Sequence, residues 1–250
     1  MPGILYLIPN TLGPSEPGGN LPLDHIIPIE VQRITSTLSR FIAENAKTTR
    51  AFLKLIAAVH PLPCSLQDIQ ISELNVNTAE ATLPDLLAPL LAGESAGLIS
   101  EAGVPAVADP GANLVRLAHR HGILVRPLVG PSSLLLAVMA SGLNGQSFAF
   151  NGYLPVDAVL RIKRLRELET RSRQENQTQL FIETPYRNGA MLDAMTAQCC
   201  ATTLICVATD LTLASESIVT KTAAQWKSAA IAGKLPDFQR KPTVFLLLAQ

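Results

Sequence analysis

The run Ala96-Gly97-Leu98-Ile99-Ser100-Glu101-Ala102-Gly103-Val104-Pro105-Ala106-Val107-Ala108-Asp109-Pro110-Gly111 decides how the rest of the chain is read. Its first four residues are apolar or small with no polar break, as a strand buried on both faces requires. It then opens into a turn rich in glycine and proline. Upstream, a helical pattern from Leu83 to Ala92 stops at Gly93, the place of a helix-terminating glycine. Downstream, a helix reaching about His121 leads to a strand at Ile123-Leu124-Val125 and a second tight turn, Gly130-Pro131-Ser132-Ser133. Strand, turn, helix, strand and turn is the rhythm of helices laid over a largely parallel sheet. The sequence therefore predicts an α/β fold.

The same rhythm extends outward. Ile4 to Ile8 reads as a buried first strand stopped by Pro9-Asn10, and helical patterns follow from Pro28 to Leu38 and from Thr48 to Val59. Between them the polar stretch from Leu12 to Pro22 is long for a connection, which makes it a candidate lid, a substrate-contacting segment or a disordered loop. After an apolar helix from Leu134 to Ser141 the pattern changes at Gly152-Tyr153-Leu154-Pro155, and a domain boundary is placed there, giving units 1–152 and 153–250. The second unit reads as a charged helix (Ala158 to Arg173), strands at Thr178 to Ile182, Thr203 to Val207 and Ser217 to Thr220, helices at Asn188 to Gln198 and Ala223 to Ala232, and a last strand from Val244 to Leu248.

Composition narrows the function classes. With 250 residues and 48% apolar content the chain has a core, which excludes disorder as the main state. Lys+Arg 20 against Asp+Glu 20 leaves no overall field to draw nucleic acid, so such a contact needs a local patch. The uneven cluster is Arg161, Lys163, Arg164, Arg166, Arg171 and Arg173 against Glu167 and Glu169, which reads either as a solvated helix or as a phosphate-contacting face for RNA. No basic segment precedes the first apolar run, and no run is long enough to span a bilayer, so a soluble, cytoplasmic protein without a membrane partner is expected. Cys64, Cys199, Cys200 and Cys206 form no C-x-x-C pair, and no histidine motif accompanies them, so free thiols and no metal are expected.

The two informative turns fall at the carboxyl ends of strands, where open α/β sheets bind ligands. Gly103, Gly111 and Gly130 let main chain approach a ligand, while Pro105, Pro110 and Pro131 hold the loops in one shape. G-x-G-x-x-G, the P-loop and the G-x-S-x-G elbow are all missing.

Assembled in order, these segments resemble the tetrapyrrole methylase superfamily of S-adenosylmethionine-dependent methyltransferases, and within it the branch that methylates a ribose 2′-hydroxyl of small-subunit ribosomal RNA. Gly97 to Pro105 with Ala108-Asp109-Pro110-Gly111 is similar to that branch's S-D-A-G-T-P and D-P-G. Gly130-Pro131-Ser132-Ser133 with Ala140-Ser141-Gly142-Leu143 is similar to G-P-S-A and A-S-G-L. Phe148 to Pro155 is similar to F-x-F-x-G-F-L-P, and Phe181 to Arg187 to Y-E-S-P-H-R. Departures fall elsewhere. T-P-I-G-N-L is replaced by Pro9-Asn10-Thr11-Leu12-Gly13, A-E-D-T-R becomes Ala43-Glu44-Asn45 followed by Ala46-Lys47-Thr48-Thr49-Arg50, and E-L-T-K becomes Asp210-Leu211-Thr212-Leu213.

The resemblance implies two α/β domains with a cofactor cleft between them, S-adenosyl-L-methionine as cofactor, and a homodimer. It implies cofactor contacts from Ser100, Ala102, Gly103, Val104, Ser132, Ser133, Leu154, Thr184 and Pro185. It fixes no general base: Glu44, Glu101, Asp109 and Glu183 all stand near matched segments. A small-molecule acceptor and a non-catalytic cofactor-binding module stay open as alternatives. Gly103→Val is expected to block cofactor approach and leave the unliganded fold largely intact.

Overall fold

The computed structural model describes residues 1–13 and 22–250. The Leu12 to Pro22 stretch therefore lies largely outside the described residues. The chain divides into two compact units, Met1–Ser132 and Ser133–Gln250.

The first unit holds five strands, β1 (Ile4–Ile8), β2 (Arg40–Ala43), β3 (Gln70–Glu73), β4 (Ala96–Ile99) and β5 (Leu124–Pro127), in the order β3-β2-β4-β1-β5 with every pairing parallel. Alternate residues of a strand face opposite sides, so an unbroken apolar run needs cover on both. Leu5, Ile42 and Leu98 pack with α3 (Leu83–Leu91) and α4 (Ala112–Arg120). Ile8, Phe41 and Ile99 pack with α1 (Ile29–Ser36) and α2 (Ala46–Ala57). Both faces are thereby covered, and the carboxyl ends of the strands share one edge.

The second unit carries β6 (Phe148–Tyr153), β7 (Thr178–Ile182), β8 (Leu204–Thr209), β9 (Ser217–Thr222) and β10 (Thr243–Leu248), ordered β6-β7-β10-β8-β9. Only β6 and β7 are parallel, and the other three pairings are antiparallel. The largely parallel sheet expected from the sequence is thus confined to the first unit. The physical reason is connection length: β8 reaches β9 through residues 210–216, too few for a crossover helix. One face of this sheet is covered by α6 (Ala158–Glu175), α7 (Asn188–Gln198) and α8 (Ala223–Ile231), around Trp226, Phe181 and Phe245. The Trp226 indole donates to the Ile205 carbonyl at 2.9 Å, which satisfies the one polar atom of a fully buried side chain.

The unit boundary falls at 132/133, whereas the glycine and proline of 152–155 had placed it at 152/153. Helix α5 (Ser133–Ser141) lies on β8, β9 and β10, and β6 extends the second sheet, so both belong with the residues that follow them.

Candidate active site

Three turns meet at the carboxyl ends of β4, β1 and β5, which are neighbours in the first sheet. Asn10, 5% exposed, joins the first two: its Nδ2 donates to the carbonyls of Ser100 (3.1 Å) and Glu101 (3.0 Å). Its own N–H donates to the Gly103 carbonyl at 2.8 Å, and the Gly103 N–H reaches the Thr11 carbonyl at 3.4 Å. The Asn10 Oδ1 accepts the Thr11 N–H at 2.9 Å, so the side chain is held at both ends. A Cβ built on Gly130 would lie 2.2 Å from Pro9 Cβ, so the turn after β5 presses its main chain against the turn after β1. A Cβ on Gly103 would stand 3.2 Å from Leu12 Cδ2 and 3.6 Å from the Pro131 carbonyl oxygen.

Gly103 sits at φ +67, and Ala106 and Ala108 both at +65. A left-handed alanine costs roughly 1–2 kcal/mol, and such strain persists where the surroundings fix the backbone. Here the fixed backbone carries Asp109 back beside Ser100, whose hydroxyl hydrogen bonds its carboxyl. The Glu44 carboxylate, at the end of β2, accepts the Glu101 N–H at 3.0 Å. Burial, then the neighbouring Glu44 charge, raises Asp109 from 3.8 to about 6; the Ser100 hydroxyl lowers it, and Glu101 adds to the rise. The Asp109 carboxyl therefore changes charge at about pH 6.

Of the residues implied as cofactor contacts, Ser100, Ala102, Gly103, Val104 and Ser132 lie in the first unit. Ser100 and Gly103 are buried, Ala102 is exposed, and Val104 and Ser132 are half-buried. Ser133, Leu154, Thr184 and Pro185 lie in the second unit, where Leu154 is buried and Thr184 exposed. The Thr184 N–H donates to Glu183 Oε1 at 2.6 Å, and the Arg187 guanidinium closes on the same oxygen. Glu183 is thereby committed to an ion pair at the base of its loop.

Asn10 escaped sequence reasoning as a site residue. Its one signal was an amide side chain directly after a buried strand and a proline. The basic helix also changes character. Arg161 donates to the carbonyl of Val156, Arg164 to Glu167 and Asn151, Arg166 to Gln198, Arg171 to Glu175, and Arg173 to the Gln250 carbonyl. Its guanidinium groups serve the second unit itself. Among the described residues no group of three or more His, Cys, Asp and Glu could hold a metal ion, and no helix is long and apolar enough to cross a membrane.

The residues present fit a cationic methyl donor in charge: the carboxyl groups of Glu44, Glu101 and Asp109 gather around the turn after β4, and opposite charge is favourable there. Comparison with known proteins agrees. No family model matches the chain. It is 31% identical over 223 residues to ribosomal RNA small subunit methyltransferase I of Xylella fastidiosa, covering 89% of this chain and 74% of that one. The protein of the same name from Thermotoga maritima is 32% identical over 171 residues, covering 68% and 69%. The Mesorhizobium japonicum protein is 45% identical over 119 residues, a stretch spanning 39% of its length. Among solved structures, the methyltransferase CobJ superposes with TM-score 0.61 at 16% identity, covering 99% of this chain and 94% of CobJ. The cobalt precorrin-4 methyltransferase CbiF superposes with TM-score 0.56 at 15% identity, covering 98% and 94%. Sequence kinship at that level over most of the length, on the tetrapyrrole methylase fold, places the chain in the ribosomal RNA small subunit methyltransferase I family, as an S-adenosyl-L-methionine-dependent methyltransferase.

Proposed function

We propose that the chain transfers a methyl group to a ribose 2′-hydroxyl of small-subunit ribosomal RNA, as a homodimer in the cytoplasm. The observation that carries the reading is the joined set of turns after β1, β4 and β5, with a carboxyl of raised pKa set among them. When bound, the cofactor supplies an electrophilic methyl group on a sulfonium. Our proposed cofactor contacts are Ser100, Ala102, Gly103, Val104, Ser132, Ser133, Leu154, Thr184 and Pro185, the positions that match the family's cofactor segments.

Such a transfer depends mainly on alignment, which supplies roughly 7–11 kcal/mol of a barrier when attacker and target are held in line. A hydroxyl also has to lose its proton. Of the four candidate carboxylates, Glu183 is paired with Arg187, Glu44 accepts the Glu101 N–H and Glu101 is exposed, so Asp109, half-buried beside Ser100, is our assignment for the base. Its carboxylate would take the proton that the hydroxyl loses as it accepts the methyl group. A carboxyl raised to about 6 is mostly deprotonated at neutral pH, and its pKa lies close enough to that pH for effective proton transfer.

The test is incubation of the purified chain with tritiated donor and small-subunit ribosomal RNA, followed by alkaline hydrolysis. A ribose 2′-methyl blocks cleavage of the next phosphodiester, so label in alkali-resistant dinucleotides supports the reading. Label confined to a base, or to a small-molecule fraction of a cell extract, overturns it.

A further inference from the structure

We propose that the outward face of α2 is where the RNA backbone docks, through Lys47, Arg50 and Lys54. This rests on the reading that the substrate is RNA. The three cations sit three and four residues apart, a spacing that lines them along one face of a helix. Thr49, Phe52, Leu53 and Ile56 take the opposite face into the core, and Lys47, Arg50 and Lys54 are exposed. The helix contains no acidic residue, and none of the three side chains makes an ion pair or side-chain hydrogen bond among the described residues. Contrast α6, which has more cations but spends its guanidinium groups on Glu167, Glu175, Asn151, Gln198 and loop carbonyls of its own unit.

Position adds a second argument. Helix α2 starts immediately after β2, and Glu44, two residues before its first turn, bonds the Glu101 N–H of the turn after β4. A strand lying along α2 therefore runs up to the turns assigned to methyl transfer. From Lys47 to Lys54 the helix advances about 10 Å, a length that a few consecutive phosphates of one strand can follow. Phosphate oxygens are the partner these cations fit: ammonium and guanidinium groups without counter-charge, on a chain whose net charge is zero.

The experiment compares wild type with Lys47→Gln/Arg50→Gln/Lys54→Gln, and with Arg166→Gln/Arg171→Gln on α6 as a control. Three readouts are taken: binding of deproteinised small-subunit ribosomal RNA across a salt series, the melting shift given by S-adenosylmethionine, and tritium transfer to RNA. The α2 variant should keep the melting shift and lose most transfer, and its log–log salt slope should be shallower by about 2, three contacts at about 0.7 each for single strands. The α6 variant should keep the wild-type slope. An α2 variant with wild-type slope and transfer overturns the proposal. Should wild type itself show no salt-dependent RNA binding and no label in RNA, the RNA reading falls instead.

Discussion

Asp109 carries two opposed pH dependences, and their opposition makes it testable. Its carboxyl is raised from 3.8 to about 6 in the folded chain, chiefly by burial and then by Glu44. Between those values the folded state holds the proton more tightly than the unfolded state, so stability falls as pH climbs through that window and is flat above it. Asp109→Asn has no such proton to lose. Its melting temperature should match wild type at pH 3.8 and pull ahead up to about 6, with a constant gain beyond. Activity should run the other way: kcat/KM of wild type rises through about pH 6, and Asp109→Asn loses roughly 10²–10⁴-fold in rate at neutral pH. A stability gain without that loss would leave Asp109 as a half-buried turn residue and nothing more.

Gly103 answers the same way at the level of shape. Its φ of +67 and a Cβ that would meet Leu12 Cδ2 at 3.2 Å mean that Gly103→Ala loses roughly 1–2 kcal/mol by denaturant titration, and valine more, since its branched side chain is more strained at positive φ. The expectation that valine there spares the unliganded fold is corrected by that angle, which no sequence pattern displays. Both variants should shrink the melting shift given by S-adenosylmethionine, and an unchanged shift in Gly103→Ala would move the cofactor away from this turn.

Among the elements, α2 depends on the residue that caps its N-terminus, Asn45. The Asn45 Oδ1 accepts the Lys47 N–H at 2.9 Å and the Thr48 N–H at 3.3 Å, which satisfies donors that the helix itself leaves unpaired. Aspartate, present at this place in the family pattern A-E-D-T-R, would do the same, so the departure keeps the cap. Asn45→Ala should cost about 1 kcal/mol in a urea melt, and Asn45→Asp close to nothing. Equal losses for the two would show that something other than the cap holds this turn.

Elements differed in how openly the sequence displayed them. The first strand, the strand at Thr178–Ile182 and the helix at Asn188–Gln198 were readable to the residue, because each is long enough to show its period and is bounded by turn residues. β2 and β3 were not, having four residues each: Arg40-Phe41-Ile42-Ala43 sits between two helices with no glycine or proline to set it apart. β6 was hidden by Gly152 within it, which looked like the start of a linker. For the site, the turns at Ser100–Gly111 and Gly130–Ser133 announced themselves by composition. Asn10 and the charge state of Asp109 depend on contacts ninety and sixty-five residues away in sequence, which no local pattern encodes.

At the scale of the whole molecule, the two units differ in how they are wound, and the difference predicts how the chain can be cut. The second sheet is complete only with α5 and β6. The Thr220 hydroxyl donates to the Ser141 carbonyl at 2.7 Å, the Thr178 N–H to Ser147 at 2.9 Å, and the Thr178 hydroxyl to Asn144 at 2.9 Å. Ala137 and Val138 of α5 are buried. A fragment starting at residue 153 removes all of these, leaving β7 with an unpaired edge and one face of β8 and β10 bare. A fragment starting at Ser133 keeps them. The 133–250 fragment should therefore melt cooperatively by circular dichroism, and the 153–250 fragment should melt without a transition or aggregate. Two fragments melting alike would mean that α5 and β6 add little to this unit, and that the glycine and proline of 152–155 mark the real break after all.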